Sequence, residues 1–176
     1  MGIKYYCDEY EVTSYRQPKL KHKLSIVGKS KELTNSETRH LVKWVGKYLF
    51  KEKLFDKIKL RIIFGNEFSH YGWCDWVDHH TRPREFEIYV NIDRQGKHGQ
   101  MKTLIHELTH VHQWAIGNLK YDFDKERELW KNKQYKYDST LSKYKKYRYT
   151  PWEEEARINE QFLFRHYTDF GYSQKV

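Results

Sequence analysis

Hydrophobic positions recur along this chain with two different spacings, and each spacing predicts a different kind of element. From Thr34 or Ser36 to about Phe50 they recur every three or four residues, as on one face of an amphipathic helix. Residues 57–64 alternate polar and apolar side chains, which predicts a half-buried strand. The predicted buried face of the helix consists of Leu41, Val42, Val45, Tyr48 and Leu49.

Two further strands are predicted at 71–77 and 85–92, and together they form a hairpin. The second strand alternates cleanly, so that one of its faces is apolar and the other is polar. The apolar face carries Phe86, Ile88 and Val90. The polar face carries Glu87, Tyr89 and Asn91.

A second helical pattern follows the hairpin. Apolar residues at helical spacing form its core-facing stripe, and Gly117 is a suitable C-terminal stop. Another side of the same helix carries His106, Glu107 and His110. After Gly117 the chain is polar and rich in tyrosine until a last helix, which is predicted to begin near Pro151. The core-facing stripe consists of Leu104, Leu108, Val111 and Ala115.

This order of elements predicts a single α+β domain that covers residues 1–176. We expect a small, mostly antiparallel sheet of about three to four strands that packs on the helix around His106, on the preceding helix and on the C-terminal helix. Residues 1–33 are predicted to be a partly ordered lead-in, because their periodicity is weak. Residues 118–150 are predicted to be a basic, tyrosine-rich insertion.

The composition bounds the compartment and the partners of the chain. Its two cysteines, Cys7 and Cys74, are too few for a disulfide framework, which favours a reducing cytoplasm. No apolar run is long enough for an export signal or a membrane span, so neither is expected. The formal net charge of +9 favours encounter with polyanions.

The chemistry of the chain is concentrated in His106, Glu107 and His110, which form an H-E-x-x-H motif. Histidines four residues apart lie one above the other on a helix, so both imidazoles can bind one zinc ion. Glu107 can then meet a water bound to that ion, which favours metal-assisted hydrolysis. The alternative is an exposed helix face with two hydrogen-bonded histidines and a solvated glutamate.

A catalytic zinc site normally has three protein ligands, so a third donor is required. We expect it in the acidic start of the last helix, with Glu153 as the first choice and Glu155 as the second. The alternative is that Thr150 and Glu153 form a capping box and that the acids only complement the helix dipole. His166, nearly four turns after Glu153, is the reserve ligand. Solvated or structural roles are expected for His79, His80 and His112.

Two motifs carry a resemblance to known proteins: H-E-L-T-H at 106–110 and P-W-E-E-E-A at 151–156. Together they resemble the zincin metallopeptidases whose third ligand is a glutamate, and also small phage-encoded and SprT-like metalloproteases. Many of these relatives carry, at the position of Arg157, an aspartate that supports a histidine ligand. SprT-like proteases often use a third histidine instead of a glutamate.

The resemblance implies a minimal zincin-like fold and a protein of a bacterium or a phage-infected host. It implies a zinc ion held by His106, His110 and Glu153, with Glu107 as the general base. It also implies that the strand at 85–92 is an edge strand that pairs with an extended peptide substrate.

The leading hypothesis from the sequence is a zinc-dependent peptidase. Segment 131–149 interleaves basic residues with tyrosines, which suits phosphate contacts and base stacking, so nucleic acid is a further expected partner. The alternative is a solvated loop whose tyrosines cover the core. The competing functions are a nucleic-acid-binding or inhibitor module with little or no catalysis, and another zinc hydrolase such as an amidase or deaminase. Stabilisation of an oxyanion is open to Tyr147, Tyr149 and His112.

Overall fold

Seven strands and five helices make up the part of the chain that a computed structural model describes, namely residues 23–66, 69–78, 82–122 and 124–171. Cys7, His79 and His80 lie outside the described residues. The first elements are β1 (Leu24–Val27), α1 (Asn35–Leu49), α2 (Glu52–Phe55), β2 (Lys59–Gly65), β3 (Gly72–Trp76) and β4 (Glu85–Asn91). They are followed by α3 (Lys97–Ile116), β5 (Leu119–Asp122), β6 (Arg127–Trp130), β7 (Lys133–Gln134), α4 (Lys143–Arg148) and α5 (Pro151–Phe170).

The larger sheet has four strands in the order β1-β2-β4-β3. The α+β class is confirmed, and so is the predicted hairpin, since β3 and β4 pair antiparallel. The expectation of a mostly antiparallel sheet is wrong for this sheet, because β1 with β2 and β2 with β4 pair parallel. Alternation along a strand shows which face is buried but carries no information about the direction of its neighbours.

The first strand lies within the segment predicted to be a lead-in. β1 joins the sheet at one edge, and the segment that contains α1 connects it to the parallel strand β2. A parallel neighbour requires such a crossover connection, which a helix usually provides. Leu24 and Ile26 are only partly buried, so their weak apolar signal did not distinguish this strand from a loop.

The core lies between the sheet and the helices, and the predicted faces meet there. Phe86, Ile88 and Val90 of β4 are fully buried. The core-facing stripe of α3 is buried along its whole length. On α1 the prediction holds for Leu41, Val42 and Val45. It is wrong for Tyr48, which is 45% exposed at the margin of the interface and contacts the ring of Trp44.

Helix α3 is the central element, since it contacts α1, α5, β3, β4 and β5. It ends at Gly117, whose left-handed φ of 76° reverses the chain toward β5. The segment predicted to be an insertion, 118–150, contains the small antiparallel sheet β5-β6-β7 and helix α4. Along the described ranges, no helix combines the length and apolarity needed to cross a bilayer.

Candidate metal centre

His106 and His110 occupy one face of α3, one turn apart. Their Nε2 atoms are 3.2 Å from each other, and the ring planes are nearly perpendicular. The side chains are 17% and 9% exposed, respectively. The two imidazoles therefore converge on one point beneath the surface, as the i, i+4 spacing on a helix predicts.

Glu153 completes this point from α5. Its carboxylate Oε1 is 2.9 Å from His110 Nε2, and Oε2 is 3.4 Å from His106 Nε2. Its backbone N–H, in the first turn of α5, donates to the hydroxyl of Thr150 at 3.4 Å. Only half of the predicted capping box forms, because the Glu153 carboxylate faces the histidines and the N–H of Thr150 donates to the carbonyl of Tyr147 instead.

The other ring nitrogen of each histidine faces an oxygen. His106 Nδ1 lies 3.2 Å from Glu160 Oε2, and His110 Nδ1 lies 2.9 Å from Gln113 Oε1. Since these oxygens accept hydrogen bonds, each neutral ring places its proton on Nδ1. In the neutral rings the Nε2 lone pairs of His106 and His110 then both point toward Glu153, whereas a protonated ring donates an Nε2–H to that carboxylate.

The donor atoms of His106, His110 and Glu153 are arranged to hold a cation. One donor atom from each of His106, His110 and Glu153 lies within 4.8 Å of the others. Among the described residues, these three form the group of His, Cys, Asp or Glu side chains that is close enough to hold one metal ion. Glu153 Oε1 is buried and accepts no hydrogen bond although His110 Nε2 is close. Two lone pairs and a carboxylate that face one another require a positive charge between them, and a divalent metal ion fits this donor set.

The ionisation of the three side chains shows the same preference for positive charge. Burial by itself would lower the pKa of His106, but hydrogen bonds with Glu153 and Glu160 outweigh it and raise the pKa to about 10. His110 shows the same balance, with Glu153 as the opposing group, and its pKa is raised. Burial would raise the pKa of Glu153, yet the two histidines hold it well below its usual range. The site stabilises positive charge at the point where the three side chains meet.

Glu107 lies next to the motif histidines with its carboxylate buried toward β3. It is 6% exposed, and a Cβ at Gly72 would stand 3.5 Å from Glu107 Oε1. Burial is the largest influence on Glu107 and raises its pKa, although His106 and His110 partly oppose this effect. A carboxylate with a raised pKa has the proton affinity that a general base needs near neutral pH.

The remaining predicted residues lie elsewhere. Glu155 accepts a hydrogen bond of 2.7 Å from Gln113 and is absent from the ligand group. His166 lies 3.2 Å from the hydroxyl of Tyr48, between α1 and α5. His112 packs its ring edge-on against Phe50, and burial lowers its pKa.

Sequence reasoning missed two residues that support the histidines. Glu160 follows Glu153 by seven residues, which is two helical turns and hence the same face of α5. Gln113 follows His110 by three residues, which places it on the neighbouring turn of α3. Both spacings were visible in the sequence. Neither residue is at position 157, where the resembling proteins carry the support for a histidine ligand.

No family model, curated protein or solved structure matches the chain. Function must therefore be inferred from the site itself, and the zinc ion and the zincin assignment stay predictions.

Proposed function

We propose that this protein is a zinc-dependent peptidase of the zincin kind. The observation that carries the proposal is the convergence of His106, His110 and Glu153, with the buried carboxylate of Glu107 beside them. Two imidazole nitrogens and one carboxylate are a donor set found in catalytic zinc sites, which keep a fourth position open for water or substrate. A structural zinc site is closed by four protein ligands and has no use for a neighbouring base.

The side chains divide the proposed reaction between them. A bound zinc ion supplies Lewis-acid chemistry, since it lowers the pKa of water toward neutrality and polarises a carbonyl group. Glu107 accepts the proton of the attacking water and delivers it to the amine nitrogen that leaves. Glu160 and Gln113 hold the Nδ1 protons of the histidines, so that both Nε2 atoms remain available as donors.

The proposed substrate strand pairs with β3. The resemblance implied that the strand at 85–92 is the edge, and this is wrong, because β4 lies between β2 and β3. Among the described strands, β3 lies at an edge of the larger sheet, and a Cβ at its Gly72 would stand 3.5 Å from Glu107 Oε1. An extended peptide that adds to this edge would run past the general base, with its backbone held by main-chain hydrogen bonds.

Metal content and hydrolysis together test this function. The parent protein should bind one zinc ion per chain, and His106→Ala and Glu153→Ala should lose it. Glu154→Ala is the matched control, because Glu154 is the exposed neighbour of the proposed ligand on the same helical turn. A parent that takes up no zinc, or a Glu153→Ala variant that binds it as tightly as the control does, would overturn the proposal.

A peptide library separates peptidase activity from the other hydrolases that use the same kind of centre. Cleavage by the zinc-loaded parent should yield new amino termini. Release of ammonia from amides or nucleobases, without such termini, would favour an amidase or a deaminase instead.

A second candidate function, nucleic-acid binding, is favoured by part of the basic segment. Tyr135 and Tyr137 of 131–149 pack against Trp152 and cover the core, as the alternative interpretation expected. Tyr147 and Tyr149, in contrast, are 40% and 57% exposed. They stand among the basic residues of α4, immediately before the helix that carries Glu153. Exposed aromatic rings between cations suit a single-stranded nucleic acid.

Charge reversal on α4 tests this second function. Lys145→Glu with Arg148→Glu should weaken binding of a labelled single-stranded oligonucleotide and reduce its dependence on salt. Lys29→Glu with Lys31→Glu, at two exposed sites on another part of the chain, is the control with the same change in net charge. Equal loss in both proteins would show a nonspecific charge effect and would remove α4 from consideration.

A further inference from the structure

Gln113 stands between the helix that carries the two histidines and the helix that carries Glu153. It is fully buried, and its side-chain amide makes three hydrogen bonds. The oxygen Oε1 faces His110 Nδ1 at 2.9 Å, and the nitrogen Nε2 donates to the carbonyl of Trp152 at 2.9 Å and to Glu155 Oε2 at 2.7 Å. We propose that Gln113 is the positioning residue that sets both the His110 ring and the placement of Glu153. This inference rests on the proposed metal centre.

The orientation of the amide is determined by its partners. Trp152 O and Glu155 Oε2 both accept hydrogen bonds, so the group facing them must be the NH₂ of Gln113. A flipped amide would leave these two acceptors facing an oxygen instead of a donor, which is unfavourable away from water. The oxygen of Gln113 must therefore face His110, which keeps the proton of His110 on Nδ1 and leaves the Nε2 lone pair for a metal.

The two bonds of the amide nitrogen act on the third proposed ligand. Trp152 and Glu155 flank Glu153 in the first turns of α5, which begins at Pro151. By holding a main-chain carbonyl on one side of Glu153 and a carboxylate on the other, Gln113 fixes this turn against α3. A single side chain thus links the orientation of one ligand to the position of another.

Three variants separate this role from ordinary packing. Q113M keeps the length of the side chain but removes every hydrogen bond. Q113E keeps an oxygen that accepts from His110, but it replaces the amide NH₂ by a second carboxylate oxygen, which cannot donate to Glu155. Q113E combined with E155Q exchanges donor and acceptor between the two positions and restores the bond to position 155.

A matched control is available on the same helix. Gln100 is also fully buried, and its amide is bonded to Ser30 and to the carbonyl of Gln95, at the other end of α3. Q100M therefore reports the loss of a buried glutamine that has no contact with the proposed ligands.

The experiment measures zinc affinity by chelator competition, the thermal midpoint, and the tautomer of His110 by ¹⁵N NMR in the zinc-free protein at alkaline pH, where the ring is neutral. We expect Q113M to bind zinc roughly 10-fold to 100-fold more weakly than the parent, as for other residues that orient a ligand. Its His110 should lose the preference for the Nδ1–H form. Q113E should also weaken binding, and Q113E/E155Q should recover part of the loss. Q100M should lower the thermal midpoint and leave the zinc affinity unchanged.

The results distinguish a failure of the role of Gln113 from a failure of the metal centre. Q113M with the zinc affinity of Q100M and an unchanged His110 tautomer overturns the role of Gln113 while the metal centre stands. A parent that binds no zinc overturns the metal centre, and the positioning proposal with it. If Q113M does not fold, the comparison of Q113E with Q113E/E155Q decides, because equal affinity in these two proteins contradicts the proposal.

Discussion

Glu160 lies 3.2 Å from Nδ1 of His106 and two helical turns after Glu153 on the same face of α5. One helix therefore supplies both the carboxylate that faces the proposed metal and the carboxylate that backs one of its histidine ligands. The second histidine, His110, is backed by the neutral amide of Gln113 instead. A negative partner raises the basicity of its histidine more than a neutral one does, so His106 should be the stronger donor of the two.

Loss of the Glu160 carboxylate should weaken the metal centre without removing a ligand. We expect Glu160→Gln to reduce zinc affinity by about 10-fold to 100-fold, the range found for partners that support metal-bound histidines. Chelator competition measures this directly. Gln161→Ala, at the exposed neighbouring position, is the control. Equal affinities for the two variants would show that the contact with His106 is incidental.

Glu107→Gln should separate metal binding from catalysis. The amide retains the size of the side chain but cannot accept the proton of the attacking water, so hydrolysis should fall by about 10²-fold to 10⁴-fold. Zinc content should remain at the parent level, because Glu107 is not among the three proposed ligands. Undiminished turnover by the zinc-loaded variant would assign the base to another residue.

Zinc should stabilise the folded chain, because its proposed ligands come from two separate helices. At a free concentration of about 100 times the dissociation constant, a metal that binds only the folded state adds about 2.7 kcal/mol. For a chain of this size that is a rise of roughly 5 to 10 °C in the thermal midpoint. Calorimetry with and without chelator measures the shift. His110→Ala should show no response to zinc, and a shift of the same size in that variant would place the ion elsewhere.

The start of α1 predicts an effect of pH on stability that does not depend on metal. The side-chain hydrogen bond from Lys97, at 2.5 Å, is the largest influence on Glu37 and, with the capping box of Thr34, lowers its pKa to about 2. Because the folded pKa lies below the unfolded value near 4.5, this stabilisation is present above pH 4.5 and is lost as the pH falls toward 2.

Replacement of Glu37 by glutamine should therefore cost about 1 kcal/mol of stability at pH 7, a typical value for a lost cap, and less at pH 2. Urea denaturation at several pH values gives the difference. Glu32→Gln, at an exposed position nearby, is the control. A cost for Glu37→Gln that does not change with pH would show that the carboxylate charge is unimportant there.

The sequence predicted those features well that depend on a single helix or a single strand. The face of α3 that packs on the sheet and the face that carries His106 and His110 both follow from helical spacing alone. Thr150 was predicted correctly as the cap of α5, and the start of α1 was narrowed to Thr34 or Ser36, of which Thr34 is the N-cap, since capping depends on a few adjacent residues.

Relations between distant elements were harder to predict. That β4 lies between β2 and β3 depends on how the strands are connected, and the edge position that the resemblance implied for this strand is wrong. The support of His106 by Glu160 depends on how α5 lies against α3, and no periodicity within either helix specifies that alignment. Tyr135 and Tyr149 have the same local composition, yet only the fold decides which ring covers the core.

The packing of α5 on α3 also fixes the sign of the charge beside the histidines. Arg157 stands four residues after Glu153, which is about one turn, or 5.4 Å along the helix. If α5 slid by one turn, a guanidinium would face His106 and His110 in place of a carboxylate. The chain thereby disfavours an alignment in which α5 is shifted by one turn along α3. One short stretch, residues 153–157, contains both the carboxylate that can hold a cation and the guanidinium that would repel a cation in the shifted alignment.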